Sequence, residues 1–320
     1  MKKRIAILGA TSHIAKSLID NYSRNSNNLL FLFARSVDKV KSFIKILPQC
    51  NAIFYDYSEF IRHDYDIIIN CVGAGTPEKV QELNRDIFSL TKTFDDLVVK
   101  YLETHRDTRY FYFSSGIVHL VHLKKYLIPE EPFMMDINNV PFSDYYSLAK
   151  IFAEKRHRSL PHLHIIDLRV FAYFSRYIDL QSSFLITSII NSILHNKTFI
   201  TNQKDIVRDY IHPDDLFSFI ECFSDSGPQN AAIDVYSKKP VTKFELLDYF
   251  KNEYHLDFSV SDDLCILNPT GEKDQFFPFS HEAGKVGYVP LYSSLEGIAK
   301  ETHKLMNQTE FKINQGYGTH

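Results

Sequence analysis

Arg4-Ile5-Ala6-Ile7-Leu8-Gly9-Ala10-Thr11-Ser12-His13-Ile14-Ala15 is the stretch on which the reading of the fold turns. A short strand-like apolar run ends at a glycine, and a helix-forming stretch begins at once. Small residues at such a turn let the backbone approach a pyrophosphate, while the helix N-terminus offers N–H donors and positive potential. Against the pattern G-x-x-G-x-x-G only Gly9 remains. Ser12 and Ala15 stand at the other two places, and Ser12 is a favourable helix cap. An ordinary strand-to-helix turn fits the same residues.

Outward from that turn, short apolar runs alternate with amphipathic stretches. Strands are predicted at Arg4–Leu8, Leu29–Phe33, Ala52–Tyr55, Asp66–Cys71, Arg109–Phe113 and His164–Leu168. Helical spacing is clearest from Pro77 to about Thr104. Val80, Leu83, Ile87, Leu90, Phe94, Leu97, Val98 and Tyr101 recur there, and Pro77 suits a first turn. The alternation gives βαβ units and an α/β fold, a Rossmann-type doubly wound parallel sheet. An irregular segment is expected from Ser114 to about Pro141. After Phe171 the alternation weakens, with helices expected at Ser182–His195, Pro213–Phe223, Lys243–Asn252 and Ser294–Met306. Residues 1–170 thus read as a dinucleotide-binding domain, and 171–320 as a smaller, mainly substrate-binding part.

Bulk composition narrows the partners. The 320 residues are 44% hydrophobic and 23% charged with net charge −3, which leaves no electrostatic footprint for nucleic acid or an anionic membrane. Cys50, Cys71, Cys222 and Cys265 form no C-x-x-C pair, so a reducing cytoplasm fits better than a disulfide framework. The apolar run within Met1 to Ala10 is too short for a signal peptide, and Phe184 to Leu194 is interrupted by Thr187, Ser188 and Asn191. A soluble cytoplasmic protein is expected. His119-x-x-His122 and His162-x-His164 lack a third ligand at metal-site spacing, so no metal is expected.

Candidate cofactor positions follow the strand ends. Gly9, Thr11, Ser12, His13 and Ile14 form the phosphate turn. Phe33-Ala34-Arg35-Ser36 ends the second strand, where an acid would suit the ribose hydroxyl of NAD and an arginine a 2′-phosphate. Arg35 and Ser36 therefore lean toward NADP, with NAD possible; a solvated arginine at a helix start is the simpler alternative. Asp56 after the third strand is a candidate for adenine, and Cys71, Val72 and Gly73 after the fourth would line the cofactor. Plain loop structure fits these as well. Tyr146-x-x-x-Lys150 sets a phenol and an ammonium on one helix face, where the cation should lower the phenol pKa.

Taken in order, these marks resemble the extended short-chain dehydrogenase/reductase family, in its nucleotide-sugar epimerase/dehydratase group. The resemblance runs from Ile5 to about Leu216. It rests on the Gly9 turn, Asn84 in the long helix, Phe113-Ser114-Ser115, Tyr146-x-x-x-Lys150, Leu168-Arg169-Val170-Phe171, and Arg208-Asp209-Tyr210-Ile211-His212-Pro213-Asp214-Asp215. It implies that Ser115 holds the reacting sugar oxygen, Tyr146 exchanges its proton, and Lys150 tunes the tyrosine and holds the nicotinamide ribose. Ser114 would support the nicotinamide, and Arg208 the substrate diphosphate, unless Arg208 pairs with Asp209, Asp214 or Asp215. A homodimer through the long helix and the Tyr146 helix is implied by the same resemblance.

Departures from the family pattern select among reactions. The acid pair that sugar dehydratases carry after the catalytic serine or threonine is Gly116-Ile117 here, which has no titratable group. The F-N-x-x-G segment reads Phe171-Ala172-Tyr173-Phe174-Ser175, so a substrate-contacting asparagine is lost, and His119 replaces the tyrosine of S-S-x-x-V-Y-G. The expected activity is an NADP-dependent reductase of a nucleoside-diphosphate keto-sugar, at C4, serving surface polysaccharide synthesis. An NAD-dependent C4 epimerase is the alternative, and a non-enzymatic dinucleotide sensor a second one. A serine hydrolase lacks its G-x-S-x-G elbow.

Overall fold

The inner strands of the central sheet are mostly apolar and buried on both faces, the signature of a parallel sheet covered by helices on two sides. The protein is described by a computed structural model, which covers residues 3–119, 138–141, 144–261 and 274–314. His122, Cys265 and most of the segment expected to be irregular lie outside the described residues.

The central sheet has seven strands, all parallel: β1 (Arg4–Leu8), β2 (Leu29–Phe33), β3 (Ala52–Tyr55), β4 (Ile67–Asn70), β5 (Arg109–Ser115), β6 (Ile165–Val170) and β7 (Asn230–Asp234). Their spatial order is β7-β6-β5-β4-β1-β2-β3. The order reverses at β1, with Leu8 level with Phe33 on one side and Asn70 on the other. In such sheets ligands bind beyond the carboxyl ends of the strands at this switch point.

Side-chain alternation sorts the core into two layers. Ile5, Ile7, Phe111 and Phe113 pack under α1 (His13–Ser23) and the helix Pro213–Asp225. Ala6, Leu8, Phe31, Phe33, Tyr110 and Tyr112 face the opposite side, against the long helices that follow β4 and precede β6. Fully burying one such side chain contributes about 1.5–3 kcal/mol. A third cluster, with Phe174, Ile186, Ile190, Leu247, Phe250 and Ile298, gives the C-terminal part its own core.

Two expectations change. The helix expected from Pro77 to Thr104 is two helices in the structure; after α2 (Val37–Ile44) come α3 (Pro77–Leu83) and α4 (Asp86–Leu102). Asn84 caps α3 with a left-handed φ of 46°, which no helix interior accommodates. Continuous apolar periodicity on both sides concealed the break. The sheet also gains a strand that was not expected, β7, contributed by residues 230–234.

Candidate active site

Gly9 sits at the switch point with φ +73°, and a Cβ there would lie 2.8 Å from the carbonyl carbon of Cys71. Only glycine lets β1 turn this close to the loop after β4. The backbone N–H of Gly9 donates to the Tyr57 hydroxyl at 3.2 Å. Ser12 caps α1 as expected, its Oγ accepting from the Ala15 N–H at 3.2 Å. The first-turn amides of α1 therefore sit at the carboxyl edge of the sheet, the arrangement that suits a pyrophosphate.

His13 opens α1 with its ring edge-on to Tyr173 and its Nδ1 buried without a hydrogen-bond partner. Burial, assisted by the Lys16 charge, lowers its pKa to about 4, so the imidazole is neutral. A close backbone turn and an orphaned polar atom together fit a dinucleotide. Arg35 and Ser36 are exposed at the end of β2. Asp56 is less available than expected: its carboxylate accepts from the Ser58 N–H at 2.8 Å and caps a 3₁₀ turn. Cys71 hydrogen-bonds Leu8 through its N–H, and burial raises its thiol pKa, so it lines rather than reacts. Val72 donates its N–H to Asn70 Oδ1 at 3.0 Å.

Tyr146 and Lys150 lie on α5 (Tyr145–Arg158), which packs against α4 and β5. The Tyr146 phenol is hydrogen-bonded to Ser115 and packs against Ile117, Phe171 and Phe276. Tyr145 turns the other way, edge-on to Phe88 and beside Arg85, which leaves Tyr146 as the tyrosine facing Ser115. Lys150 is 6% exposed; its Nζ donates to the Phe113 carbonyl at 2.7 Å and to the Tyr112 hydroxyl at 3.2 Å. Gly73 adjoins it, since a Cβ on Gly73 would lie 4.0 Å from that Nζ. The turn, the loop after β4 and the Tyr146 helix thus converge.

The expected pKa effect is reversed. Burial raises the Tyr146 pKa, and the opposing influence is its hydrogen bond with Ser115. The Lys150 ammonium lies 5.8 Å from the Tyr146 ring centroid and bonds elsewhere. Its own pKa falls to about 8 through burial, against the raising charges of Asp167, Glu154 and Asp95.

Ser114 also differs from expectation. Successive strand residues point to opposite faces, and the Ser114 hydroxyl donates to Glu154 Oε1 at 2.6 Å, beneath the site. Glu154 is held in turn by a bidentate Arg169. Gly116 is forced by packing: a Cβ there would lie 2.4 Å from the Phe171 ring. No side chain fits at that position, so the absence of an acid is built into the fold. His119 stacks on Phe171 and bonds Asp234 at 2.8 Å.

Arg208 stands on the strand Val207–Arg208, level with Phe276 on a neighbouring strand, and donates to the Val207 carbonyl at 2.8 Å. Its guanidinium lies 6.0 Å from the Phe276 centroid, and Phe276 packs on Phe171. An aromatic wall therefore joins Arg208 to Tyr146. Asp209, Asp214 and Asp215 serve the scaffold instead: Asp209 accepts from Ser237 and Ser294, Asp214 pairs with Arg24, and Asp215 accepts from Leu291 and Tyr292. Tyr57, Tyr112, Glu154, Phe171 and Phe276 were not anticipated. Helical spacing from Lys150 could have found Glu154, and strand alternation from Ser114 could have found Tyr112. Among the described residues no metal-binding group forms and no helix is long and apolar enough to cross a membrane.

Solved structures share this architecture. UDP-N-acetylglucosamine 4-epimerase from Methanobrevibacter ruminantium is 17% identical with a TM-score of 0.73, covering 97% of this chain and 100% of its own. UDP-glucuronic acid 4-epimerase from Bacillus cereus is 15% identical with a TM-score of 0.72, covering 96% and 99%. dTDP-glucose 4,6-dehydratase from Bacillus anthracis is 14% identical with a TM-score of 0.71, covering 96% and 98%. At such identities the likeness is one of fold. No curated protein sequence matches significantly. The sequence profile of the NAD dependent epimerase/dehydratase family matches residues 5–235, and the chain belongs to that family.

Proposed function

We propose that the protein acts on a nucleoside-diphosphate sugar by reversible NAD(P)-dependent oxidation at a sugar carbon, with C4 epimerisation as the leading activity. The observation that carries this reading is the convergence of Ser115, Tyr146 and Lys150 beside the Gly9 turn. When bound, the nicotinamide would take up a hydride from the sugar carbon and return it. Ser115 holds the reacting sugar oxygen through its Oγ. Tyr146, as its phenolate, takes the proton from that oxygen at Oη and returns it. A buried phenol gives up a proton reluctantly, and the Ser115 hydrogen bond works against the desolvation at that atom. Lys150 holds the ribose on the nicotinamide side, and Arg208 with the Phe276 wall holds the diphosphate end. A homodimer through α4 and α5 belongs to the same reading, supported by the half-exposed Phe152 beside Phe88.

The sequence favoured the reductase. Relatives in shape whose crystals hold UDP-glucuronic acid with NAD, or UDP-N-acetylmuramic acid, are 4-epimerases, and they support the alternative instead. Elimination is disfavoured because Gly116 has no room for an acid and Ile117 is apolar. NADPH-dependent reduction of a 4-keto sugar is the second reading, supported by Arg35 exposed at the end of β2.

The test begins by releasing and identifying nucleotide from heat-treated protein. Purified enzyme is then incubated with a panel of UDP-, dTDP- and ADP-sugars, with products separated by chromatography. Interconversion of C4 epimers without net change in NAD(P)H absorbance is the expected result. Stoichiometric NADPH consumption with a 4-keto substrate would replace it with the reductase.

A further inference from the structure

Beneath the proposed site lies a buried ionic cluster that the mechanism does not use. His157 is 0% exposed on α5, its Nδ1 2.6 Å from Asp167 Oδ1 on β6 and its Nε2 2.8 Å from Asp95 Oδ1 on α4. Both carboxylates are buried, at 0% and 2% exposure. Each has a second cationic partner nearer the surface: Arg156 at 2.7 Å from Asp95 and Arg158 at 3.0 Å from Asp167. Arg156 also pairs with Asp96. From β5, Tyr110 donates to Asp95 at 3.1 Å, and the rings of Tyr110 and Tyr112 stand edge-on to the imidazole. Glu154, paired with Arg169, completes the charged neighbours.

Two features tie this cluster to the site. Tyr112 is a shared wall, its ring 5.3 Å from the His157 ring and 4.7 Å from the Lys150 Nζ, with its hydroxyl accepting from that Nζ. A hydrogen-bonded line also leaves the cofactor-side loop: Val72 N–H to Asn70, Asn70 to Tyr110, and Tyr110 to Asp95. The cluster therefore spans from that loop to the helix bearing Tyr146.

We propose that His157 is a positioning residue of the active site, its imidazolium balancing Asp95 and Asp167 so that the Lys150 ammonium works in a fixed, nearly neutral field. The inference rests on the reading of Lys150 as a site residue. Its physical basis is the low dielectric of the interior, where charges a few ångströms away act with little screening. With both ring nitrogens on carboxylates, the imidazole is held charged: burial alone would lower its pKa, but Asp167 and Asp95 raise it to about 9. Removing that charge leaves the cluster one negative charge in excess near Lys150, despite Arg156 and Arg158, and stabilises the ammonium. Removing one carboxylate does the reverse.

Opposite signs make the test specific. The ¹³Cε resonance of Lys150, assigned with Lys150→Arg, is titrated in the full chain carrying [¹³Cε]-lysine. His157→Gln should raise the Lys150 midpoint, and Asp167→Asn should lower it, each by about half to one pH unit. Should His157→Gln fail to fold, Arg158→Gln removes a positive partner of Asp167 nearer the surface and should shift the midpoint upward, less far. Midpoints unchanged, or shifted the same way by all variants, overturn the proposal. Once a substrate is in hand, the pH profile of kcat should move in step with the midpoints. If the midpoints move as stated while no nucleotide sugar is turned over, the functional reading fails and the electrostatic one stands.

Discussion

The two ends of the proposed cofactor cleft are built differently. At the Tyr146 end Ser114, Ser115 and Lys150 are buried, Tyr146 is partly so, and each is tied to another group: Ser115 to Tyr146, Lys150 to Phe113 and Tyr112, Ser114 to Glu154. At the far end Arg35 and Ser36 stand exposed at a strand terminus, and Asp56 is occupied with its own turn. Buried, connected groups cannot be exchanged singly without leaving a partner unsatisfied. Exposed ones can. Reaction type should thus resist mutation at one end, while cofactor preference should shift easily at the other.

The sharpest break of that comparison is Tyr146→Phe. It removes one hydroxyl and keeps the ring against Ile117, Phe171 and Phe276. Turnover should fall by roughly 10²–10⁴-fold, the range for a lost proton-transfer group, with folding and dinucleotide binding intact. Full turnover in whichever assay responds would remove Tyr146 from the mechanism. Gly9→Ala ranks next. The added Cβ meets the Cys71 backbone at 2.8 Å on a residue already at positive φ. Thermal melting should show a loss of about 1–3 kcal/mol, and the stabilisation normally given by added dinucleotide should be lost. A variant that melts like the wild type and still responds to dinucleotide would show that the turn is not the phosphate site.

How much was legible follows the same division. β1 and β2 were readable because parallel strands buried on both faces are continuous apolar runs, and the half-exposed edge strand β3 was readable as a short apolar run; all three fall where expected. Seven turns of apolar periodicity from Pro77 onward gave no sign of Asn84, because helices on either side of a cap keep the same buried stripe. β7 was missed because Asn230–Asp234 is short and only partly buried at a sheet edge. At the site, Tyr146 and Lys150 came from helical spacing and Ser115 from the family resemblance, and the three lie together. The Phe171–Phe276 wall could not be foreseen, since it joins residues more than a hundred positions apart. The direction of the Tyr146 pKa was misjudged because spacing gives proximity and says nothing of desolvation.

Arg35→Ala tests the exposed end. If Arg35 binds a 2′-phosphate, NADP affinity should drop roughly tenfold, the worth of one charge-assisted contact to phosphate. NAD affinity should stay within about twofold. Equal loss for both dinucleotides, or no loss for either, would take Arg35 out of cofactor selection and leave it as a solvated helix-start residue.

The smallest effect contrasts two histidines, His13 at the Gly9 turn and His157 on the Tyr146 helix. His13 is held neutral with its pKa lowered to about 4, and His157 is held charged with its pKa raised to about 9. Linkage gives them opposite signs. Between pH 6.5 and 4 the unfolded chain binds a proton that folded His13 refuses, so stability drains away as pH falls. Between pH 6.5 and 9 the unfolded chain releases a proton that folded His157 keeps, so its contribution is full below pH 6.5 and lost as pH rises. Melting temperatures of wild type, His13→Gln and His157→Gln across pH 4–9 separate the two, because titrations common to all three cancel in the differences. The wild-type advantage over His157→Gln should be largest at pH 6.5 and below and shrink toward pH 9. Its advantage over His13→Gln should shrink toward pH 4, each change amounting to a few degrees. Two difference curves of the same slope would mean that the histidine at the Gly9 turn and the one on the Tyr146 helix share one environment, and the opposite shifts of the two would be overturned.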